Sequence, residues 1–210
     1  MPAGRSMPNL GAVILAAGGS SRLGEPKQLL VFRGETLVRR AVRVAAEAGC
    51  APVVVVLGES SDAIGEQLRG TGAATVRNPG WKSGLGTSIR CGLEELATLA
   101  PQIRGVVLLT CDQPLVEATT IVALIAEYHK TGKPIVASSY AKTLGIPALF
   151  DRSCFDGLMA LPDDSGAKFL IAQRRDDVAT ILFSDGAIDI DTAADYDRLR
   201  YGRVGNGSLP

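Results

Sequence analysis

Three stretches of the chain carry residue types suited to handling phosphate. The first runs Leu15-Ala16-Ala17-Gly18-Gly19-Ser20-Ser21-Arg22-Leu23-Gly24-Glu25-Pro26-Lys27, an apolar run opening into a Gly/Ser loop that ends with two fixed cations. Glycines after a strand let the backbone approach a ligand closely, and successive N–H groups make a concavity for an anion. Arg22 and Lys27 would add the charge a polyphosphate needs; the bland reading is a plain turn with two surface cations. The second stretch is Cys111-Asp112-Gln113-Pro114, directly after the apolar run Val106–Leu109. A carboxylate there either binds Mg²⁺, a hard cation that takes oxygen donors, or caps the helix beginning near Glu117. The third is Asp189-Ile190-Asp191-Thr192. In strand alternation its two carboxylates share one face, where one could complete a metal site; Asp191 or Thr192 could equally cap the last helix.

Two familiar phosphate signatures fail on the letters. Gly19 and Gly24 have the spacing of a P-loop, but Glu25 stands where its Lys should follow. Neither the first loop nor Gly84-Leu85-Gly86 completes the Gly-x-Gly-x-x-Gly dinucleotide fingerprint. Asn78–Ser88 is a further loop opening a helix, whose backbone donors and hydroxyls suit base, ribose or an anion, or simply cap the helix. The lone histidine, His129, sits between Tyr128 and Lys130 in a helical stretch and reads as a surface residue. Without it there is no His-based nucleophilic catalysis, which phosphoryl and nucleotidyl transfer do not require, since positioning and charge neutralisation carry them.

Composition narrows the class. The 210 residues are 46% hydrophobic and 5% aromatic, as in a soluble α/β protein with a sizeable core. Lys+Arg and Asp+Glu balance at 22 each, so no overall field favours nucleic acid or an anionic membrane. The four cysteines are scattered without Cys-x-x-Cys spacing, which fits free thiols in a reducing cytosol and argues against zinc. No apolar run reaches membrane-spanning length and Met1–Leu10 lacks the apolar core of a signal peptide, so the expected location is cytoplasmic.

The elements that must position these residues alternate strand and helix. Strands are expected at Ala12–Ala16, Pro52–Leu57, Ala73–Arg77, Gly105–Thr110 and Pro134–Ser138, with a short extended piece at Gln28–Phe32. Helices are expected from Thr36 to about Ala48, Ser60–Leu68, Gly84–Leu99 and Glu117–Thr131. Continuous apolar strands alternating with helices predict an α/β fold, a mostly parallel, Rossmann-like sheet with helices on both faces. Ligands then sit beyond the carboxyl ends of the strands, where both the glycine loop and Asp112 fall. Past residue 139 the rhythm breaks: a strand at Pro147–Phe150, helices at Asp151–Ala160 and Ser165–Gln173, paired strands at Val178–Phe183 and Ala187–Ile190, and a last helix from Thr192. One domain over residues 11–200 is expected, between a flexible leader at 1–10 and a flexible tail at 201–210.

Leu-Ala-Ala-Gly, Ser-x-Arg-x-Gly, Pro-Lys and two leucines resemble the opening of the MobA-like nucleotidyltransferases, most closely the molybdenum cofactor cytidylyltransferases. The resemblance extends over roughly residues 11–200. It implies a nucleotide-diphospho-sugar-transferase type of sheet and Mg²⁺-dependent transfer of a nucleotidyl group. In the matching motifs Arg22, Lys27 and Asp112 are the catalytic group; Leu15, Ala16, Ala17, Gly18, Gly19, Ser20, Lys27, Gly84, Ser88 and Cys111 bind the nucleotide. Asp112 and Asp191 bind metal, Asp191 within a late motif whose Pro-Glu is replaced here by Ala193-Ala194. Ala16-Ala17-Gly18 implies CTP, since guanylyl-transferring relatives tend to show Ala-Gly-Gly. Molybdopterin or another small phosphorylated acceptor is implied; the alternatives are a nucleotidyltransferase using GTP, or a non-catalytic module that handles the cofactor for a molybdenum hydroxylase. Acceptor-side elements fall at 139–190, in Leu144–Phe150 and Asp163–Lys168, where Leu144 and Lys168 replace arginines and Asp163 a glycine.

Overall fold

The computed structural model describes residues 9–20, 23–58 and 60–201. The expected leader (except Asn9 and Leu10), the tail beyond Tyr201 and Arg22 lie outside the described residues. Strand β1 (Leu10–Ala16) is buried along its whole length. Its alternate side chains serve two cores: Ala12 and Ile14 face one, Val13 and Leu15 the other. That double burial is why the run shows no polar alternation.

A two-stranded ladder, β2 (Val31–Phe32) with β3 (Glu35–Thr36), leads into helix α1 (Leu37–Glu47). The extended piece expected at Gln28–Phe32 is therefore divided, because Lys27–Leu29 closes a 3-10 turn in which Leu30 N–H reaches the Lys27 carbonyl. Thr36 occupies the N-cap position of α1, but its buried hydroxyl makes no hydrogen bond; the cap is structural in place only. β4 (Val53–Leu57), α2 (Ser61–Leu68), β5 (Ala74–Arg77), α3 (Leu85–Leu99), β6 (Gly105–Thr110) and α4 (Ala118–Thr131) follow within a residue or two of expectation.

β7 (Ile135–Tyr140) and β8 (Thr143–Asp151) form a hairpin about Ala141 and Lys142, both with positive φ, of 45° and 61°. Two left-handed residues in succession match the right-handed twist of paired strands. β8 is thus longer than expected and antiparallel. A 3-10 turn (Arg152–Cys154) breaks the single helix expected at Asp151–Ala160 before α5 (Phe155–Met159); α6 (Ala167–Gln173), β9 (Val178–Leu182) and α7 (Ala193–Tyr201) complete the chain.

The seven-stranded sheet has the order β5-β4-β1-β6-β8-β7-β9, parallel except for β8. Ile14 lies beside Val55 on one side and Leu109 on the other, so the ends of β1, β4 and β6 are level. The strand expected at Ala187–Ile190 is absent. Ser184–Ala187 instead forms a 3-10 turn, and the following segment crosses the sheet edge, where Ile190 N–H donates to the Asp112 carbonyl at 2.9 Å. Ile190 is fully buried, while its neighbours Asp189 and Asp191 remain accessible. The face-sharing read from the sequence survives without the ladder. No helix among the described residues is long and apolar enough to cross a membrane.

Candidate active site

β1 delivers Leu15, Ala16 and Ala17 to the carboxyl edge of the sheet, and the backbone then turns at Ser20, whose φ is 50°. Two contacts fold the loop back on itself. Lys27 N–H donates to Ser20 Oγ at 2.9 Å, and the Gln28 side-chain amide donates to the carbonyls of Ala16 at 2.7 Å and Gly18 at 2.8 Å. Gln28 is 1% exposed, so these bonds are shielded from water.

The turn aims Lys27 across the edge at the end of β6. Its Nζ lies 2.7 Å from Asp112 Oδ2 and 3.3 Å from Asp191 Oδ1. The first and last acidic candidates thus meet on one ammonium, 85 and 164 residues from it in sequence. Burial works to lower the ionisation of Lys27, but the charge and hydrogen bond of Asp112 outweigh it and hold the group above its ordinary value. Asp189 is raised as well, by burial and then by the charges of Asp191 and Asp112, which for an acid disfavours the charged form. Burial and the Asp112 charge push the Cys111 thiol up to about 12, so it lines the cleft as a neutral group and not as a nucleophile.

A cleft of about 320 Å³ opens beside this pair. Leu15, Ala17, Gly18, Lys27, Gly84, Ser88, Cys111 and Asp112 all line it, together with Gln28, Trp81, Leu85 and Thr110. Ala16 stands behind the lining, its carbonyl held by Gln28, while Gly19 and Ser20 belong to the loop beyond it. The far wall is the start of α3. Gly84 has a φ of 131°, and a side chain there would fall on the backbone of Asp163 and Asp164. Gly86 N–H donates to the Asp163 carbonyl at 2.9 Å. Ser88 is 3% exposed and its hydroxyl accepts from Asn78 Nδ2 at 3.0 Å, which makes it a strut of the wall.

Several positioning residues were not singled out from the sequence. Gln28 follows Pro26-Lys27 directly, yet its amide acts on carbonyls ten and twelve residues earlier. Asn78, placed only within a loop opening α3, donates to Thr87 and Ser88 and accepts from Gly80 N–H. Gln113 Nε2 donates to the Gly186 carbonyl at 2.9 Å, fastening the crossing segment to the loop of Asp112. Arg40 is buried and donates to the Pro114 carbonyl at 2.8 Å. A buried cation in an otherwise apolar face is invisible to periodicity, which sees only the helix.

The donor chemistry suits a hard divalent cation. Asp112 and Asp191 supply carboxylate oxygens on one side of an open cleft, and Mg²⁺-type ions bind through one or two carboxylates plus phosphate oxygens and water. Among the described residues no group of three or more His, Cys, Asp or Glu forms a closed metal cage. Such a cage is not what a substrate-shared ion needs. His129 is exposed on α4, away from these groups.

Residues 12–178 match the family model described as MobA-like NTP transferase domain. Nicotine blue oxidoreductase of Paenarthrobacter nicotinovorans is 30% identical over 204 residues, 92% of this chain and 97% of that protein. The crystal structure of Rv0371c from Mycobacterium tuberculosis H37Rv superposes with a TM-score of 0.79 at 32% identity, covering 92% of this chain and 98% of that one. A structure of Rv0371c in complex with manganese gives 0.74 at 30% identity, over 91% and 97% of the two chains. A CMP:2-keto-3-deoxy-manno-octonic acid synthetase complexed with CTP has a TM-score of 0.70 over 93% of this chain and 98% of that one; at 17% identity the likeness is of fold alone.

Proposed function

The chain belongs to the MobA-like NTP transferase family, and from that premise we propose that it transfers a cytidylyl group from CTP to the phosphate of a small acceptor, molybdopterin. The observation that carries the reading is the meeting of Lys27 with Asp112 and Asp191 at the mouth of a cleft lined by the glycine loop. An oxygen of the acceptor phosphate attacks the α-phosphorus of CTP in line. The bond from that phosphorus to the bridging oxygen breaks, and pyrophosphate leaves with the electron pair.

No side chain has to remove a proton, because a phosphate monoester is largely dianionic above its second pKa of about 6. The loop backbone from Ala17 to Ser20 cradles the nucleotide, and Lys27 offsets charge that grows on the departing pyrophosphate. Arg22 joins Lys27 in that role. Asp112 and Asp191 would hold Mg²⁺, which supplies charge neutralisation and alignment of the reacting phosphates when bound. Manganese bound to Rv0371c, a relative at 30% identity, supports a divalent ion for the present chain.

Incubation with Mg²⁺, molybdopterin and each of CTP, GTP, ATP and UTP tests the reading by pyrophosphate release and product mass. CTP is expected to give the dinucleotide of the pterin. Release with GTP alone would overturn the nucleotide assignment, and the absence of release with any of the four would overturn transfer to molybdopterin. Asp112→Ala is expected to abolish release; a pure binding module would show none to lose.

The name of the Paenarthrobacter relative favours one second reading, an oxidoreductase. The incomplete dinucleotide fingerprint at both glycine loops weighs against a nicotinamide site. Titration with NADH and NADPH separates the two readings, since binding of either at the glycine loop is expected only of the second.

A further inference from the structure

The seven-stranded sheet ends on one side in β9, which pairs with β7 and has no second neighbour among the described residues. Exposed strand edges are ordinarily blunted by a charge, a proline or a bulge. β5, at the opposite edge, carries Arg77 within the strand. β9 reads Val178-Ala179-Thr180-Ile181-Leu182, with no charged residue and no proline, and its register with β7 runs without a shift.

The ladder decides which backbone groups face outward. Phe183 N–H donates to the Ser139 carbonyl at 3.0 Å. Successive residues of a strand turn their amides and carbonyls to alternate edges. Ala179 and Ile181 therefore bond to β7, and Thr180 and Leu182 present both groups to the free edge. Val178 presents its carbonyl there, while its N–H closes the preceding turn on the Arg175 carbonyl. The side chains divide in the same way: Ala179 and Ile181 pack into the core with α4, whereas Leu182 is 82% exposed.

This pattern is self-complementary. In an antiparallel pair centred on Thr180, that residue faces itself, and the two copies exchange N–H and C=O bonds across a two-fold axis. Leu182 then faces Val178 of the second copy, its N–H directed at the open Val178 carbonyl and its side chain at an apolar neighbour. The flanking turns fit the same axis. Arg175 and Asp185 are exposed, form no ion pair among the described residues, and stand equally far before and after Thr180. The axis carries each Arg175 to the end of the ladder where Asp185 of the other copy lies, so opposite charges meet at both ends. Asp176 falls opposite Ser184 and not opposite a second acid.

We propose that β9 is a docking edge for a second copy of this chain, joining two sheets through an antiparallel β9–β9 pair. β9 runs parallel to β6, so the strands of the second copy run the opposite way. The two Lys27–Asp112 clefts then open on opposite edges of the joined sheet, each separated from the junction by β8, β7 and β9.

Sedimentation equilibrium of the full chain over a concentration series reads the mass directly. A monomer–dimer equilibrium is expected; a monomer at every concentration would overturn the proposal and leave the edge to a strand from another protein. Thr180→Pro removes an outward N–H and no bond to β7, so it is expected to weaken dimerisation about tenfold or more with the circular dichroism spectrum unchanged. Leu182→Lys puts a charge on the open edge and is expected to do the same, which carries the test if the proline variant misfolds. A dimer indifferent to Leu182→Lys would overturn the edge as its interface. Arg175→Glu is expected to weaken the dimer, and Arg175→Glu with Asp185→Arg to restore it. No loss in the first, or no recovery in the second, would overturn the register about Thr180.

Discussion

Lys27 answers to two carboxylates before any phosphate arrives. Its ammonium stands between Asp112 and Asp191, so a divalent ion held by those carboxylates, as proposed, would compete with it for the same oxygens. Lys27→Met is therefore expected to raise Mn²⁺ affinity about tenfold without nucleotide, measured by electron paramagnetic resonance, while transfer falls by roughly two to three orders of magnitude. Because its folded ionisation lies above the ordinary 10.5, Lys27 stabilises the fold fully below that value and loses the contribution only as pH rises through the folded one. The ion pair is thus intact throughout the neutral range. Lys27 and Asp112 were legible as residue types at the ends of apolar runs. Gln28 was not, because nothing local announces a glutamine that bridges two carbonyls. Gln28→Leu leaves those carbonyls without their donor and is expected to cost about 1–3 kcal/mol in denaturant unfolding, with a raised KM for nucleotide.

Among the elements, the parallel strands were readable because burial on both faces leaves a run such as Val53–Leu57 no polar position. The segment after β9 was misread as a hairpin partner. Ser184-Asp185-Gly186 has the composition of a strand turn, but its geometry is set by the contacts of Gly186 with Gln113 and of Ile190 with Asp112, more than seventy residues away. Local sequence cannot encode a partner at that distance. The start of α3 shows the same dependence. No side chain caps it; Asn78 fixes it from the preceding loop through Thr87 and Ser88. Asn78→Ala is expected to lower stability by about 1–3 kcal/mol and to weaken nucleotide binding more than it slows turnover, a split that steady-state kinetics would show.

At the scale of the molecule, part of the cancelling net charge is matched within one network of ion pairs. Glu35 at the foot of the small ladder pairs with Arg43 and Arg40, while Arg40 reaches on to Glu117 and the Pro114 carbonyl. The network ties the ladder and α1 to the loop that follows Asp112. The Arg43 hydrogen bond holds the Glu35 carboxyl below its ordinary 4.5. Its stabilisation is present above that value and is lost as pH falls through the folded one. Glu35→Gln should therefore melt below the wild type at neutral pH, and the gap in Tm should close as the solution is acidified past 4.5. A gap that stayed constant would show that Glu35 contributes packing and not charge.

The stretch that crosses the sheet edge has a consequence for damage. Ser184, Asp185, Ala187, Ile188 and Asp189 are open to solvent, whereas Ile190 is sunk in the core and its amide is fastened to Asp112. A protease cutting between residues 187 and 189 would leave every strand and the glycine loop in place, and Asp191 would then be held only from its far side, by the buried Ile190 and its bond to Asp112. The nicked chain is expected to hold Asp191 less firmly against Lys27, and the 3.3 Å contact between them would loosen before any strand did.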